Sequence, residues 1–374
     1  LPDILSFEIK MTQKKIISFE EKLGSNEISL LRERLLSDNY CAREDSVIKE
    51  NLMVNLKVTM PGDYSEGKSY RSAILMFHGL NERSWQKYEP WAEYLSLYTD
   101  VPIVLFPISF HIDRSPFDWS NPRKMQPLVR DEIERNMVAG NVNENLTFAN
   151  YALSSRIKRD PARFYIAGRE TIYNVCQFMS DVANGVYPLF DKECRFNIFS
   201  YSIGSLLSQV LLMSNPGGFF KQSRLFMFCG GSLFAHMNGN SRMIMDKISF
   251  ERLHQFYRND FLKIFNSGLL GENVVPEAFV AHIDKSILKS KRDKFYKENH
   301  DRIRVVALTG DKVIPADGIR AALGPSWKSL MKEIDFPYGY SHEIPFPLDG
   351  KGDRNQITRS FRKVFSCAAR FLKQ

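Results

Sequence analysis

Short apolar runs that stop abruptly at glycine, proline or a polar residue constrain this chain most. Ala73–Phe77 (AILMF) stops at His78-Gly79, Ile103–Phe106 (IVLF) at Pro107, and Leu225–Cys229 (LFMFC) at Gly230-Gly231. Such runs have no polar face to offer water, so they suit strands covered on both sides of a sheet. Arg195–Phe199, Arg304–Thr309 and Ile334–Phe336 read as further strands, and the alternating stretch Leu52–Thr59 reads as an edge strand. Between them apolar residues recur at helical spacing. Trp85, Tyr88, Trp91, Ala92 and Leu95 form one stripe, read as packing against the sheet. Residues 161–184, Ile203–Met213 and residues 354–373 read as helices. Strands alternating with helices predict an α/β fold: a mostly parallel central sheet flanked by helices.

The remaining segments set the organisation. Residues 1–50 read as a charged, helical N-terminal extension, clearest at Ile28–Leu36. Residues 107–127 are irregular and run into a polar, helix-like piece ending near Asn150, too long for an ordinary connection. Residues 232–303 carry helical patterns and no convincing buried strand. The expected division is 1–50 extension, 51–231 first part of the core, 232–303 insertion and 304–374 second part of the core.

Composition narrows the function classes. The 374 residues, 44% of them hydrophobic, suffice for a large core. The net charge of +8 comes from lysines and arginines scattered among acids. No zinc-finger spacing, RNA-binding aromatic signature or basic arm accompanies it, so no nucleic-acid partner is expected. Five widely spaced cysteines without a CxxC pair argue against a zinc site or a disulfide framework and suit a reducing compartment. No run of 18 apolar residues is present, so no integral membrane segment is expected. Leu1–Lys22 lacks a signal-peptide pattern, and a cytoplasmic location is expected. Neither a dinucleotide fingerprint nor HExxH occurs, so no cofactor and no metal are expected. Nothing in the sequence speaks to oligomeric state.

The sharpest chemical signal is Ser200-Tyr201-Ser202-Ile203-Gly204, set between an apolar strand and an apolar helix. This resembles a nucleophile elbow, usually G-x-S-x-G, with Ser200 in place of the first glycine. A strand turning sharply into a helix exposes its turn residue at the helix N-terminus. The Ile203 N–H would then face a developing oxyanion. A serine hydroxyl needs a base, and the base an orienting carboxylate. Downstream, Arg304–Thr309 runs into Gly310-Asp311, and Ile334–Phe336 into Tyr338-Gly339-Tyr340-Ser341-His342. Asp311 and His342 therefore stand at strand ends, in the chain order Ser, Asp, His. Asp317 and Asp335 are reserve carboxylates. His78-Gly79-Leu80-Asn81 follows an early buried strand. Gly79 would let the backbone turn and present the Leu80 N–H as the second oxyanion donor. His78, Gly79, Asn81 and Tyr201 are expected to contact substrate, with His78 also able to fix the loop.

Together, His78–Asn81, Ser200–Gly204, Thr309–Pro315 and Gly339–His342 resemble the α/β-hydrolase superfamily over roughly residues 51–374. The resemblance implies a Ser–His–acid triad and often a helical lid, whose position matches residues 232–303. The expected activity is cleavage of a carboxylic ester, thioester or amide, with a small acyl compound as substrate. The superfamily also holds acyltransferases and non-catalytic ligand- or partner-binding members, so the fold does not by itself define the reaction.

Overall fold

The computed structural model describes residues 6–12, 45, 47–62, 64–268, 270, 274–347 and 353–373. Its centre is one eight-stranded sheet: β1 (Ser6–Thr12), β2 (Met53–Thr59), β3 (Tyr70–Phe77), β4 (Ile103–Phe106), β5 (Phe190–Tyr201), β6 (Leu225–Phe228), β7 (Ile303–Leu308) and β8 (Met331–Ile334). The spatial order is β1-β2-β4-β3-β5-β6-β7-β8. β2 pairs antiparallel with both β1 and β4, and every pair from β4 through β8 is parallel. This is the strand order of the α/β-hydrolase fold.

The apolar runs fill both faces, as their composition requires. Ala73, Leu75, Phe77, Phe196, Ile198, Leu225, Met227, Val305 and Ala307 point to one core. Ile74, Met76, Phe199, Tyr201, Phe226, Phe228, Val306 and Leu308 point to the other. Successive strand residues thus alternate between two buried faces, because the side-chain period is two. Helices Ala162–Ala183 and Ile203–Ser214 cover the first core, and helices Glu89–Thr99 and Arg354–Leu372 the second. In the stripe on Glu89–Thr99, Trp91, Ala92 and Leu95 are buried against the sheet.

Three expectations need correction. Residues 6–12 are not helical; they form β1, in full antiparallel register from Ser6↔Thr59 to Thr12↔Met53. β2 is therefore covered by β1 and is not an edge. The final strand is Met331–Ile334 rather than Ile334–Phe336, and Phe336 instead packs its ring into the core beyond the strand end. The helix expected at Ile28–Leu36 lies outside the described residues, as does Cys41; Cys176, Cys194, Cys229 and Cys367 are free thiols. The 107–150 stretch holds short 3-10 turns followed by helix Pro122–Val138. Residues 232–303 carry helices Lys247–Arg258, Asp260–Asn266, Val274–Val280 and Lys289–Glu298. Among the described residues, no helix is long and apolar enough to cross a membrane.

Register decides what meets at the sheet's carboxyl edge. Phe77 pairs with Ser200, so the chain leaving β3 at His78 emerges beside Tyr201 and Ser202. Tyr201 pairs with Phe228, Phe228 with Val306, and Leu308 with Ile334. The loops after β3, β5, β6, β7 and β8 thus open on one rim, the usual ligand-binding edge of an open α/β sheet.

Candidate active site

Ser202 sits between β5 and helix Ile203–Ser214 with φ 56° and ψ −125°. A positive φ is costly for a residue with a side chain, and persists where the surroundings over-determine it. Small neighbours allow it. A Cβ on Gly204 would stand 2.7 Å from the His78 carbonyl oxygen and 2.9 Å from Phe77. A Cβ on Gly230 would collide with Ser205 and come within 2.9 Å of the Ser202 carbonyl oxygen. Ser200 is buried, and its hydroxyl meets the Ser205 hydroxyl at 3.1 Å, so the small side chain in the first glycine position is both accommodated and partnered.

Ser202 Oγ lies 2.7 Å from His342 Nε2, and His342 Nδ1 lies 2.7 Å from Asp311 Oδ2. With Nδ1–H donating to the carboxylate, Nε2 is left to accept from the serine hydroxyl. The other Asp311 oxygen accepts from the N–H groups of Val313 (2.9 Å) and Ile314 (2.8 Å), which sets the plane of the carboxylate. All three side chains are buried. The Tyr201 hydroxyl donates to the His342 carbonyl, and the two rings stack with centroids 5.3 Å apart and planes 17° apart. Cys229, at the end of β6, is buried with φ 47°. Burial and then the neighbouring Asp311 carboxylate push its thiol pKa well up, so it stays protonated.

The loop after β3 is held by its own network. His78 Nδ1 donates to the Gly79 carbonyl (2.7 Å), and Nε2 accepts from the Ile108 N–H (2.9 Å). Burial, then the adjacent His111, pushes the His78 pKa well down, so the ring is neutral, as this pairing demands. The Gly79 N–H donates to the Tyr88 hydroxyl (2.9 Å), which donates to Glu82 Oε1 (2.7 Å). Lys87 ion-pairs with Glu82 and stands 4.7 Å from the centre of the Tyr201 ring. Ile203 opens its helix, so its N–H has no acceptor within the helix. The side chains of Leu80 and Ile203 line one apolar cavity.

The residues expected at the site are thus distributed as follows. Ser202, Asp311 and His342 are brought together, and the Gly79–Leu80 loop stands next to them through the Phe77–Ser200 register. His78, Asn81 and Tyr201, expected to contact substrate, have their polar groups engaged internally. Both His78 nitrogens are taken. Asn81 (φ 62°) donates to the carbonyls of Ala149 (2.9 Å) and Met243 (2.7 Å), tying the loop to two neighbouring segments. Gly79 faces the Tyr201 ring, which a Cβ would approach to 3.3 Å. The reserve carboxylates lie elsewhere: Asp335 accepts from Tyr340 (2.8 Å) and Asp317 pairs with Arg320 at 2.5 Å. Cys229 carries one signal in the sequence, its place at the end of a buried strand. Tyr88 belongs to a packing stripe by its spacing, and in the fold its hydroxyl also orients the Gly79 N–H.

Sheet order and the serine-bearing turn together define an α/β-hydrolase-fold protein. The chain belongs to the family of unknown function DUF6051, whose profile matches residues 6–373. No curated protein matches the sequence. Similar solved structures include a thermostable esterase from Pseudomonas putida, at 10% identity and TM-score 0.41, covering 99% of this chain and 84% of that one. Fungal esterases from Rhizomucor miehei align at 12% identity and TM-score 0.42, over 100% of this chain and 83% of theirs. Esterase 2 of Thermogutta terrifontis, crystallised phosphoramylated by tabun, aligns at 15% identity and TM-score 0.39, over 85% and 88%.

Proposed function

We propose that this protein is a serine hydrolase that cleaves a carboxylic ester, thioester or amide through an acyl-enzyme. The observation that carries the reading is the unbroken run of two 2.7 Å contacts from Ser202 Oγ through His342 to Asp311. Ser202 attacks the substrate carbonyl while His342 Nε2 takes its proton. Asp311 holds the ring in the tautomer that can accept that proton and stabilises the imidazolium that forms. The N–H groups of Ile203 and Leu80 receive the oxyanion; one stands at a helix N-terminus, where the helix dipole adds to it. His342 then returns the proton to the leaving group and activates water to release the acyl group. Tyr201, Tyr88 and His78 act by holding the base loop and the oxyanion loop in place. Residues 232–303 form a helical lid. Supporting that assignment, Val275 and Phe279 from this segment close the cavity beside Leu80 and Ile203, and Ser241 bonds Glu343 next to the base.

The test combines active-site labelling with turnover. Wild type should react with a fluorophosphonate probe and hydrolyse members of an ester panel graded by acyl length. Ser202→Ala should lose labelling and at least about a thousandfold in turnover. Its stability should change by no more than about 1 kcal/mol, because only a hydroxyl is removed. Turnover that persists in folded Ser202→Ala, or no labelling and no turnover in wild type, would reject the reading.

A further inference from the structure

The cavity beside Leu80 and Ile203 follows one face of the helix that begins at Ser202. Ile203, Leu206, Leu207 and Val210 line it, at the i, i+3, i+4, i+7 spacing of a single helical stripe. From Ile203 to Val210 a rise of about 1.5 Å per residue carries the cavity roughly 10 Å away from the nucleophile. Helix Ala162–Ala183 forms another wall and contributes Tyr165, Gly168, Arg169 and Ile172 at the same spacing. Gly168 stands in the interior of that helix, where glycine is less favourable than alanine. Its φ is not positive, so no turn requires it. Among the described residues a Cβ there would meet no atom within 4 Å, so close packing does not require it either. What this glycine supplies is room in the cavity it lines. The polar side chains of the wall are held by partners. Arg156 and Arg163 pair with the two oxygens of Asp45 (2.9 and 2.8 Å), and Arg169 donates to the Tyr173 hydroxyl (3.1 Å). The Ser109 hydroxyl donates to Glu170 (2.9 Å). His111 Nε2 and the Tyr165 hydroxyl are buried beneath the surface. The surface that faces the cavity is therefore nearly all carbon.

We propose that this cavity binds the unsubstituted hydrocarbon chain of a medium-length ester or thioester, and that Gly168 leaves the room that chain fills. This assignment rests on the serine-hydrolase reading and names the substrate class for it. An extended chain of roughly six to eight carbons, at about 1.3 Å per bond, spans the stripe from Ile203 to Val210. A charged or hydroxylated chain would lose its water and gain no partner, because Asp45, Glu170 and Tyr173 already hold the polar groups of the wall. A hydrocarbon chain loses nothing by leaving water, and each buried methylene favours binding.

Acyl and alcohol chains present the same hydrocarbon, and two ester series tell them apart. One is p-nitrophenyl esters from acetate through hexanoate and octanoate to hexadecanoate; the other is acetates of ethanol through hexanol and octanol to hexadecanol. In one series wild-type kcat/KM should rise about 10- to 1000-fold from the shortest member to the hexyl or octyl one, each buried methylene contributing up to roughly fourfold, and should rise no further beyond it. Gly168→Leu, which puts a side chain into the vacant space, should lower the ratio of the octyl to the shortest member at least about tenfold. A general loss of activity would scale every member alike and leave that ratio unchanged. Gly168→Ala, favoured in a helix, should melt no lower than wild type and shift the ratio the same way by less, which keeps the test decisive if the leucine variant folds poorly. Ser202-dependent turnover that is flat or falling with chain length in both series overturns this proposal and leaves the hydrolase reading standing. An unchanged chain-length profile in folded Gly168→Leu overturns it too. Absence of fluorophosphonate labelling and of turnover in wild type removes both.

Discussion

The hydroxyl of Tyr201 donates to the main-chain carbonyl of His342. Tyr201 directly precedes Ser202, so this bond ties the strand that ends at the serine to the loop that carries the histidine, across 141 positions of sequence. The stacked rings keep the imidazole plane parallel to that strut. Tyr201→Phe keeps the stacking and removes the tie. A buried carbonyl then loses its donor, which costs about 1–2 kcal/mol. The turnover number should fall roughly tenfold with little change in KM, because the ring orientation matters when the proton moves. Steady-state kinetics beside a denaturant melt check this; unchanged kcat in a folded variant would show that the tie does not position the base.

Asp311 separates two roles that its oxygens play. Oδ1 satisfies the N–H groups of Val313 and Ile314, while Oδ2 faces His342. Asp311→Asn can keep the first role, but its amide would meet His342 Nδ1 and favour the wrong tautomer. Turnover should fall by about 10⁴, as the same change does in a serine protease, with little loss of stability. Asp311→Ala should also cost roughly 1–3 kcal/mol, since the buried N–H of Ile314 and the half-buried N–H of Val313 lose their acceptor. Comparing kcat and melting midpoints for the pair checks both; equal stability of the two variants would contradict the division of labour.

Gly204→Ala probes the turn itself. The new Cβ would meet the Phe77 and His78 backbone at 2.7–2.9 Å, and neither can swing aside as a side chain could. Relief requires the helix after Ser202 to move away from the end of β3. A loss of about 1–3 kcal/mol is expected, together with reduced probe labelling, because the Ser202 turn and the Leu80 loop separate. A variant with wild-type stability and labelling would show that this contact is not what holds the turn.

Acid should weaken the fold before the carboxylates titrate. His111 and His282 are buried and neutral, their pKa values lowered by burial from 6.5 to about 4. Between those limits the unfolded chain takes up protons that the native chain refuses. Stability therefore rises with pH across that window and is lost as pH falls through it. Each histidine contributes at most about 1.4 kcal/mol per pH unit. Denaturant melts at pH 7.5, 6.5 and 5.5 should show falling midpoints, and His282→Gln should flatten the fall. A midpoint that stays level from pH 7.5 to 5.5 would refute this.

The sequence by itself determined the buried central strands and the helices that flank them, because their signals are local. Ala73–Phe77, Ile103–Phe106 and Leu225–Phe228 are apolar throughout, and only burial on both faces satisfies such runs. The serine-bearing turn was legible for the same reason: Ser202, its small neighbours and the flanking strand and helix lie within a few residues of one another. Ser6–Thr12 was misread because its strand character depends on pairing with β2, some fifty residues away, and an edge strand carries little pattern of its own. Tertiary structure alone decided the rest. The approach of His342 to Ser202 spans 140 positions, and it exists because parallel register brings the ends of separate strands to one rim. The same assembly turned His78, Asn81 and Tyr201 inward. Once buried, their polar groups needed partners: His78 Nδ1 found the carbonyl of the next residue, and the rest found main-chain carbonyls and amides of loops that adjoin them only in the folded sheet.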